Sequence, residues 1–481
     1  MAKYLLNNVL MIEKKKIFEK GFILFIIICF ISLFLRLYQI NFEDYWFDEQ
    51  ASFWVSDPYL SYSDTLERSY DLDKGTHVIF NIILKNFFHI FSYEPQYGRL
   101  LPLFFGFISI LLISYLALQL QKGRSYLLVA FLCSINFYLI SYSQELRSYS
   151  LIFLLSLLSI IFFYKIIENE IRLNKKIFSY FLYILFSLLG VCIHIFFFII
   201  IISQASYLFL NYYFEKKKII IPFFCILCVI VLYYIFMFDA LLMQLNIDDF
   251  WIQQIKPDFF LNFYFSRFFG SRIMGTIYLL VLAYLIFSNR KKIFCFYDKN
   301  FLLILIMFYS YFLPISYSFL KQPILTDRYI IFVLVPIFIL ISNLTLSLQN
   351  NKIKFLILFL LCTTSLANNY IEIFERKISK PQFNDTFKYI VNSNVKNVLI
   401  KSPTNIEKII INYAKNTKTA KKGNLTFYSS DDKIKNLDKI WLTCYESIND
   451  FDCSYDFNSN LTFKKAKNLN YYLIKSTLYT K

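Results

Sequence analysis

The sequence predicts an α-helical protein that crosses a membrane many times and carries a small α/β domain at its carboxyl end. Of its 481 residues, 57% are hydrophobic and 21% are aromatic. Apolar runs close to the roughly 20 residues that cross a bilayer recur between residues 22 and 366. After residue 370 the chain becomes polar and rich in lysine, which indicates a separate domain outside the bilayer.

About eleven spans are predicted from these apolar runs. A twelfth run, 77–91, is short and contains two histidines, two asparagines and a lysine, a pattern typical of a juxtamembrane helix that lies in the membrane interface. The predicted spans are 22–40, 100–120, 126–142, 151–167, 178–194, 196–213, 219–238, 274–288, 301–320, 329–348 and 353–368.

The distribution of basic residues predicts which way the chain is inserted. With 77–91 left out of the spans, the lysine and arginine clusters of the short loops all fall on one side, such as Lys122 with Arg124 and the run 216–218. Cytoplasmic loops are the basic ones, so the amino terminus is predicted inside and the tail outside. These loops and the tail account for the net charge of +17. Without a basic stripe interleaved with aromatics, nucleic-acid binding is not expected.

The chain is predicted to divide into a transmembrane bundle, 1–368, with a first outer loop at 41–97, and an extracytoplasmic α/β cap, 369–481. In the cap we expect strands at 395–401, 439–445 and 470–478 and an amphipathic helix at 405–415. Two cysteines of the tail, Cys444 and Cys453, are predicted to form a disulfide if the tail is extracytoplasmic.

Two carboxylates just past the first span are the first candidate site. Asp48 and Glu49 follow Trp46 in an aromatic-rich stretch of the first outer loop. Because charge beside lipid is costly, the pair is either a solvated loop or the acid/base end of a site. A transferase that moves a sugar onto a hydroxyl or amine needs such a carboxylate to accept the acceptor's proton.

A second group lies in the run 141–149, between two predicted spans. Glu145 and Arg147 are two residues apart, so they do not share a helical face and are expected to bracket a turn and meet different partners. An arginine there either binds a phosphate through two hydrogen bonds or forms an internal ion pair with Glu145 or Asp48. Arg328 opens a later span from the outer side and fits either a lipid-linked phosphate or a lipid-headgroup anchor.

The order of these motifs resembles that of the bacterial membrane glycosyltransferases of the C-type superfamily, family 39. This family includes protein O-mannosyltransferases and the lipid A aminoarabinose transferase. Each motif is short, and their order carries the resemblance up to about residue 410. The matching pieces are Trp46-Phe-Asp-Glu-Gln-Ala-Ser52, Tyr97-Gly-Arg-Leu-Leu-Pro102, Tyr142-Ser-Gln-Glu-Leu-Arg-Ser-Tyr149, His194-Ile-Phe196, Asp327-Arg-Tyr-Ile330 with Pro336, and Lys380-Pro-Gln-Phe-Asn-Asp385.

The resemblance implies an inverting transfer of a sugar from a polyprenyl-phosphate donor to a lipid, glycan or protein acceptor. The reaction would take place on the outer face of the bacterial plasma membrane. By position, Asp48 becomes the general base, Glu49 its neighbour in acceptor or sugar binding, and Glu145 a further acid of the site. The residues expected to bind substrate are Arg147 and Arg328, as phosphate ligands, together with Gln144, Tyr149, His194 and Trp46. This chain departs from the family's pattern at Gly75-Thr76-His77, where a proline pair is usual, and at Leu146, where alanine is common.

A phosphate leaving group departs without protonation when a cation holds its charge, so the site needs a base and a cationic clamp but no separate acid. Carboxylates for a dedicated metal site are few, so no obligatory cofactor is expected, and Mg²⁺ or Mn²⁺ bridging carboxylate and phosphate stays an alternative. The competing functions are a transporter or lipid flippase, and a polysaccharide polymerase or ligase. Transporters usually carry ionisable groups at mid-span and internal repeats, whereas these predicted spans are nearly bare of charge.

Overall fold

The structure is a computed structural model of the chain. It describes residues 21–121, 123–168, 173–215, 220–245, 267–293, 298–402, 406–429, 437–445 and 463–481. These residues form a large helical bundle followed by a five-stranded sheet flanked by helices.

Within the described residues, eight helical segments are long and apolar enough to cross a membrane. Two other predicted spans are apolar helices of 17 residues each, Gly21–Leu37 and Arg272–Ser288. All eleven predicted spans therefore coincide with helix, while the number of crossings stays a prediction. The eight segments are Pro95–Leu120, Tyr149–Ile167, Lys176–Ile193, Ile195–Phe214, Ile220–Met243, Lys299–Leu320, Asp327–Ser347 and Asn351–Phe374.

The predicted span 126–142 is not one straight helix. It consists of Ser125–Ser134 and Phe137–Ser143, bent by 61°. At the break, the Asn136 side chain accepts a hydrogen bond from the Leu139 amide and so caps the second piece. The carbonyls left at the end of the first piece accept hydrogen bonds from the buried Arg36 guanidinium. Polar side chains thus satisfy the backbone that the bend exposes, which makes it tolerable inside the bundle.

Three helices fill the first outer loop: Phe47–Val55, Tyr62–Asp73 and Val78–Ile90. The last has 13 residues, about 20 Å of helix, which is too short to span a bilayer. It buries one face, including Phe80 and Leu84, against the protein. The prediction that this segment does not span is consistent with these dimensions. The segment between the predicted spans 219–238 and 274–288 starts as helix, because Ile220–Leu245 continues beyond residue 238, and residues 246–266 lie outside the described part.

The carboxyl-terminal domain is one mixed sheet in the order β2-β1-β3-β5-β4. Strands β1, β2 and β3 are parallel, and β5 pairs antiparallel with both β3 and β4. The α/β prediction is confirmed. The strands are β1 Asn397–Lys401, β2 Thr426–Tyr428, β3 Lys439–Tyr445, β4 Lys464–Tyr471 and β5 Ile474–Thr480, and the helices are Phe383–Asn392, Glu407–Asn416 and Lys418–Gly423.

One strand prediction in this domain was wrong. The segment 470–478 is not a single strand, because a tight turn at Tyr472 and Leu473 joins β4 to β5. Leu473 has φ +56°, a left-handed conformation that lets the chain reverse although no glycine marks the turn. Cys444 on β3 is disulfide-bonded. Cys453 lies outside the described residues, so the pairing of these two cysteines stays a prediction.

The domain docks on the first outer loop of the bundle. Tyr413 stacks on Tyr45 with 5.2 Å between ring centroids. The buried Glu43 carboxylate accepts hydrogen bonds from Arg376 at 2.6 Å and from the Ser379 amide at 2.6 Å. Asp44 accepts from the Asn384 amide, at the start of the helix Phe383–Asn392, at 2.6 Å. Apolar stacking and charge-assisted hydrogen bonds therefore join the two parts.

Arg99 fixes the course of that loop. Its guanidinium is 2% exposed and bonds both oxygens of Glu49, each at 2.9 Å. Its remaining N–H groups donate to three backbone carbonyls, those of Ile40 at 2.9 Å, Glu43 at 2.7 Å and Asp44 at 3.2 Å. The five donors of this guanidinium thus meet five acceptors. One side chain holds both ends of the segment that leads into the helix Phe47–Val55.

Replacing this arginine should therefore unfold the outer loop. In Arg99→Met the buried Glu49 keeps its charge and loses its bidentate partner, which costs about 3–5 kcal/mol of unfolding free energy. The double variant Arg99→Met/Glu49→Met should recover part of that loss, because it no longer buries that carboxylate. Thermal unfolding of the purified variants measures both. If the double variant loses as much unfolding free energy as Arg99→Met and Glu49→Met lose together, the coupling between the two residues is contradicted.

Candidate active site

The helix Phe47–Val55 presents its two acids in different directions. Asp48 and Glu49 lie in its first turn, where the partial positive charge of the helix amino terminus stabilises carboxylates. Successive helical residues are rotated by about 100°. The Glu49 side chain is accordingly 0% exposed, whereas that of Asp48 is 28% exposed. Of the two predicted acids, only Asp48 is open to an incoming molecule.

Arg328 meets Asp48 at this opening. Its Nη1 lies 3.2 Å from Asp48 Oδ2, although the two residues are 280 positions apart. The guanidinium is 15% exposed. It lies 5.7 Å from the centre of the Trp46 ring and 5.8 Å from that of Tyr149. The structure thus brings together four residues predicted for the site, a partly exposed carboxylate and a cation held among aromatic rings.

Glu49 is fully engaged by the protein. Oε1 accepts from Arg99 and from the Leu146 amide at 2.8 Å, and Oε2 accepts from Arg99 and from Lys380 at 2.8 Å. Burial alone would raise the pKa of this carboxyl, but the two cations outweigh it and hold the pKa well below its usual range. A carboxylate has about four lone-pair sites. All four are occupied, so Glu49 has no site left for the direct contact with acceptor or sugar that was expected of it. Glu49 instead positions the helix that carries Asp48.

The turn 144–147 supplies two further charges, and, as expected, they meet different partners. Glu145 is 13% exposed and lies 3.4 Å from Lys380 Nζ. Arg147 is buried and donates to the Asp48 carbonyl at 3.2 Å and to Ser52 Oγ at 3.1 Å. Arg147 therefore holds the backbone of the helix Phe47–Val55, called the carboxylate helix below. Arg328, in contrast, contacts the Asp48 carboxylate itself.

Burial raises the pKa of Glu145. The neighbouring charges of Glu49 and Asp48 raise it further, while Lys380 and Arg328 act in the opposite direction. Glu145 and Glu49 therefore share one lysine, but their pKa values are shifted in opposite directions. The protonated form of Glu145 is a hydrogen-bond donor, which the ionised Glu49 is not.

Gln144 has a structural position in this arrangement. Its amide nitrogen donates to the carbonyls of Leu35, Arg36 and Tyr38 at the end of the first helix. Its Oε1 accepts from Arg376 at 3.0 Å. Both ends of the amide are thus occupied by the protein, and the substrate contact expected of Gln144 would require one of these bonds to break.

Two histidines lie behind the site. His194 caps a short helix by accepting from the Phe196 amide at 3.2 Å, and its ring packs 4.5 Å from that of Tyr329. His77, which the sequence did not single out for the site, shares a hydrogen bond of 2.9 Å with Ser148 and lies 6.1 Å from the His194 ring. Burial, followed by the charge of Arg147, lowers the pKa of His77 well below its usual value, so its ring is neutral.

The sequence reasoning also missed two cations, Arg99 and Lys380. Both lie in motifs that match the family's pattern, but neither residue was assigned a role. A buried carboxylate beside the membrane requires a positive partner, and this rule pointed to a cation for Glu49 without saying which one. Lys380 lies 331 positions from Glu49 in the chain. Among the described residues, no group of three His, Cys, Asp or Glu side chains could hold a metal ion.

This arrangement can accept a proton at Asp48 and bind an anion at Arg328 within one opening. The buried acid Glu49 is paired with Arg99 and Lys380 inside the protein. Asp48 and Arg328 are more exposed, and a substrate can reach them. Such a combination suits a displacement in which a nucleophile loses a proton and an anionic group departs.

Solved structures with this fold include known membrane transferases. The apo structure of ArnT from Cupriavidus metallidurans is 9% identical in sequence, with a TM-score of 0.63 over 95% of this chain and 97% of that one. ArnT bound to undecaprenyl phosphate gives 10% identity and a TM-score of 0.57 over the same shares. The archaeal oligosaccharyltransferase AglB from Archaeoglobus fulgidus, in complex with an inhibitory peptide and a dolichol-phosphate, gives 10% and 0.52 over 88% of this chain and 69% of that one.

No protein-family model matches the sequence, and no curated protein sequence matches it either. The likeness is therefore one of fold. ArnT and AglB both belong to the C-type glycosyltransferases, the superfamily that the motif order indicated. The chain has the fold seen in ArnT and AglB, the fold of the C-type membrane glycosyltransferases.

Proposed function

We propose that this protein is an inverting glycosyltransferase that moves a sugar from a polyprenyl-phosphate donor to an acceptor hydroxyl or amine. The observation that carries the proposal is the contact of 3.2 Å between Asp48 and Arg328 at the open end of the site. A base and an anion-binding cation are the two groups that such a transfer requires. Two solved structures with this fold contain polyprenyl phosphates, undecaprenyl phosphate in ArnT and a dolichol-phosphate in AglB, which supports the choice of donor.

In the proposed step, Asp48 takes the proton of the acceptor O–H or N–H as that atom attacks the anomeric carbon of the sugar. The new bond to the anomeric carbon forms on the face opposite the phosphate. The bond from that carbon to the phosphate oxygen breaks, and its electron pair leaves with the polyprenyl phosphate. Arg328 would turn from Asp48 to the phosphate, which frees the base and stabilises the departing charge. No oxidant, reductant or separate acid is needed.

The neighbouring residues have supporting roles in this proposal. Glu145 contacts the sugar or the phosphate, and Trp46 and Tyr149 hold the Arg328 guanidinium against their rings. Arg147 acts through the backbone of the carboxylate helix. Should a divalent cation take part, Asp48 and the donor phosphate are the groups that would hold it.

The reaction is proposed for the outer face of the plasma membrane. The basic loops predict that face for Asp48 and Glu145. The disulfide of Cys444 supports an extracytoplasmic position for the cap, because disulfides persist in oxidising compartments. A transporter or flippase is less well supported, because the ion pair between Glu49 and Lys380 joins the outer loop to the cap.

Removing the base should abolish transfer without unfolding the protein. In Asp48→Asn we expect kcat to fall by about 10²- to 10⁴-fold, while binding of polyprenyl phosphate stays close to that of the wild type. The measurement is the transfer of a radiolabelled sugar in nanodiscs. Asp71→Asn, an exposed acid of the same outer loop, is the matched control and should leave activity unchanged. Full activity of Asp48→Asn would exclude the base role.

Removing the phosphate ligand should weaken donor use. In Arg328→Gln we expect kcat/KM for the donor to fall by about 10- to 100-fold, the range of one charge-assisted hydrogen bond. Arg328→Lys should retain part of the activity, because it keeps the charge and loses the planar fork. Arg124→Gln, at an exposed arginine in a predicted cytoplasmic loop, serves as the control. Unchanged donor kinetics in Arg328→Gln would refute phosphate binding.

The protonation of Glu145 predicts a pH dependence of stability. Its folded-state pKa is raised above the usual 4.5, so the folded protein holds this proton more tightly than the unfolded chain. The free energy of unfolding should therefore fall as pH rises through the window between the two pKa values. Glu145→Gln should remove this part of the slope and be more stable than the wild type above the window. Thermal unfolding of the wild type and of Glu145→Gln is measured as a function of pH, and the difference between the two profiles gives the contribution of Glu145. Parallel profiles would contradict the raised pKa.

A further inference from the structure

A polar cleft of about 460 Å³ lies between the bundle and the cap. Four segments line it: 41–45 and 94–99 from the bundle, and 378–388 and 413–419 from the cap. Its volume falls in the range of roughly 300–1,000 Å³ that is usual for small-molecule sites. Asp48 and Arg328 are not among its lining residues, so the cleft is distinct from the opening at which the transfer is proposed.

The charges of the cleft wall are balanced. Four carboxylates and four cations line it, so it has no net field that would attract a polyanion. The deeper acids, Glu43 and Asp44, are engaged by Arg376, Ser379 and Asn384. Nearer the mouth, Asp385 is 43% exposed and Lys388 is 64% exposed. The rim therefore offers both acceptors and donors of hydrogen bonds.

This mixture suits a ligand that is rich in hydroxyl groups. Each sugar hydroxyl both donates and accepts a hydrogen bond, so it can pair with a carboxylate such as Asp385 and with an ammonium such as Lys388. Amides of Asn41 and Gln96 add to the wall from the bundle side, and Phe42 offers a ring that is 43% exposed. A polyprenyl chain would need a long apolar groove instead.

The inner end of the cleft touches the carboxylates of the proposed site. Arg99 and Lys380 line the cleft, and both bind Glu49. Lys380 also lies 3.4 Å from Glu145. Asp44 also lines the cleft. It precedes Asp48 by four residues in the chain, and the start of the carboxylate helix connects the two. A ligand in the cleft would therefore have one end beside Glu49 and Glu145, next to the helix that carries the proposed base Asp48.

We infer that the cleft between bundle and cap is the acceptor site and that the acceptor is a saccharide, neutral or zwitterionic. This inference rests on the proposed transferase function. It adds a binding site to that function and selects a glycan from the three acceptor classes that the sequence left open.

The test blocks the mouth of the cleft by one side chain and measures binding apart from transfer. Thr419→Trp places an indole at the cleft wall, and Lys422→Trp, three residues later on the same helix but outside the cleft, is its matched control. The full chain in lipid nanodiscs is presented with an array of neutral, amino-sugar and acidic oligosaccharides and with a panel of peptides. Wild type and Lys422→Trp should bind neutral or amino-sugar oligosaccharides, and Thr419→Trp should bind them about tenfold more weakly or worse.

A second pair of variants tests the rim chemistry. Asp385→Asn and Lys388→Ala remove one acceptor and one donor from a pair that is largely exposed, so the fold should not depend on them. Both should raise KM for the saccharide acceptor and leave the affinity for polyprenyl phosphate unchanged. Lys396→Ala, at an exposed lysine away from the cleft, should change neither.

The outcomes separate the cleft from the transferase proposal. Equal saccharide binding by wild type and Thr419→Trp, no saccharide binding at all, or binding of peptides alone would each overturn the inference and leave the roles of Asp48 and Arg328 intact. Saccharide binding that Thr419→Trp abolishes, in a protein that transfers no sugar, would instead support the cleft and count against the transferase.

Discussion

The arrangement of the site depends on one buried guanidinium. Arg99 joins the carboxylate of Glu49 to three carbonyls of the preceding loop, and all its donors are satisfied inside the protein. The helix Phe47–Val55 has only nine residues, too few to be stable by itself in water. The ion pair and the docking of the cap therefore determine where this helix lies. The position of Asp48 follows from that of Glu49, its neighbour in the helix.

The contacts that join cap and bundle converge on one loop, the first outer loop. Glu43 binds Arg376, Asp44 binds Asn384, and Glu49 binds Lys380. Three acids within seven residues of the bundle thus meet three polar residues from the segment that begins the cap. Each of these acids would be costly to bury without its partner. The cap is consequently needed to complete the electrostatics of the bundle, and any ligand held between them contacts both.

The sequence predicted the parts of the fold that depend on local composition. Apolar length gave the positions of the helices, and alternation gave β1 and β3. It did not predict the bend near Asn136, because the carbonyls freed there are satisfied by Arg36, a hundred residues earlier in the chain. The turn at Leu473 was missed for a related reason. A leucine in the left-handed region carries no local signal, and the pairing of the flanking strands imposes that conformation.

For the site, the sequence named several residues that the fold brings together, but it did not give the partner of each. Asp48, Arg328, Trp46 and Tyr149 lie together in the structure, whereas the polar atoms of Glu49 and Gln144 are bonded within the fold. The distinction follows from exposure, which spacing along a helix does not give. Of the three acids, Glu49 is 0%, Glu145 13% and Asp48 28% exposed. Glu49 has no lone pair to offer, and burial favours the protonated form of Glu145. For the proposed transfer, Asp48 is therefore the carboxylate best suited to take the proton of an acceptor, and it lies beside Arg328, the cation proposed to hold the departing phosphate.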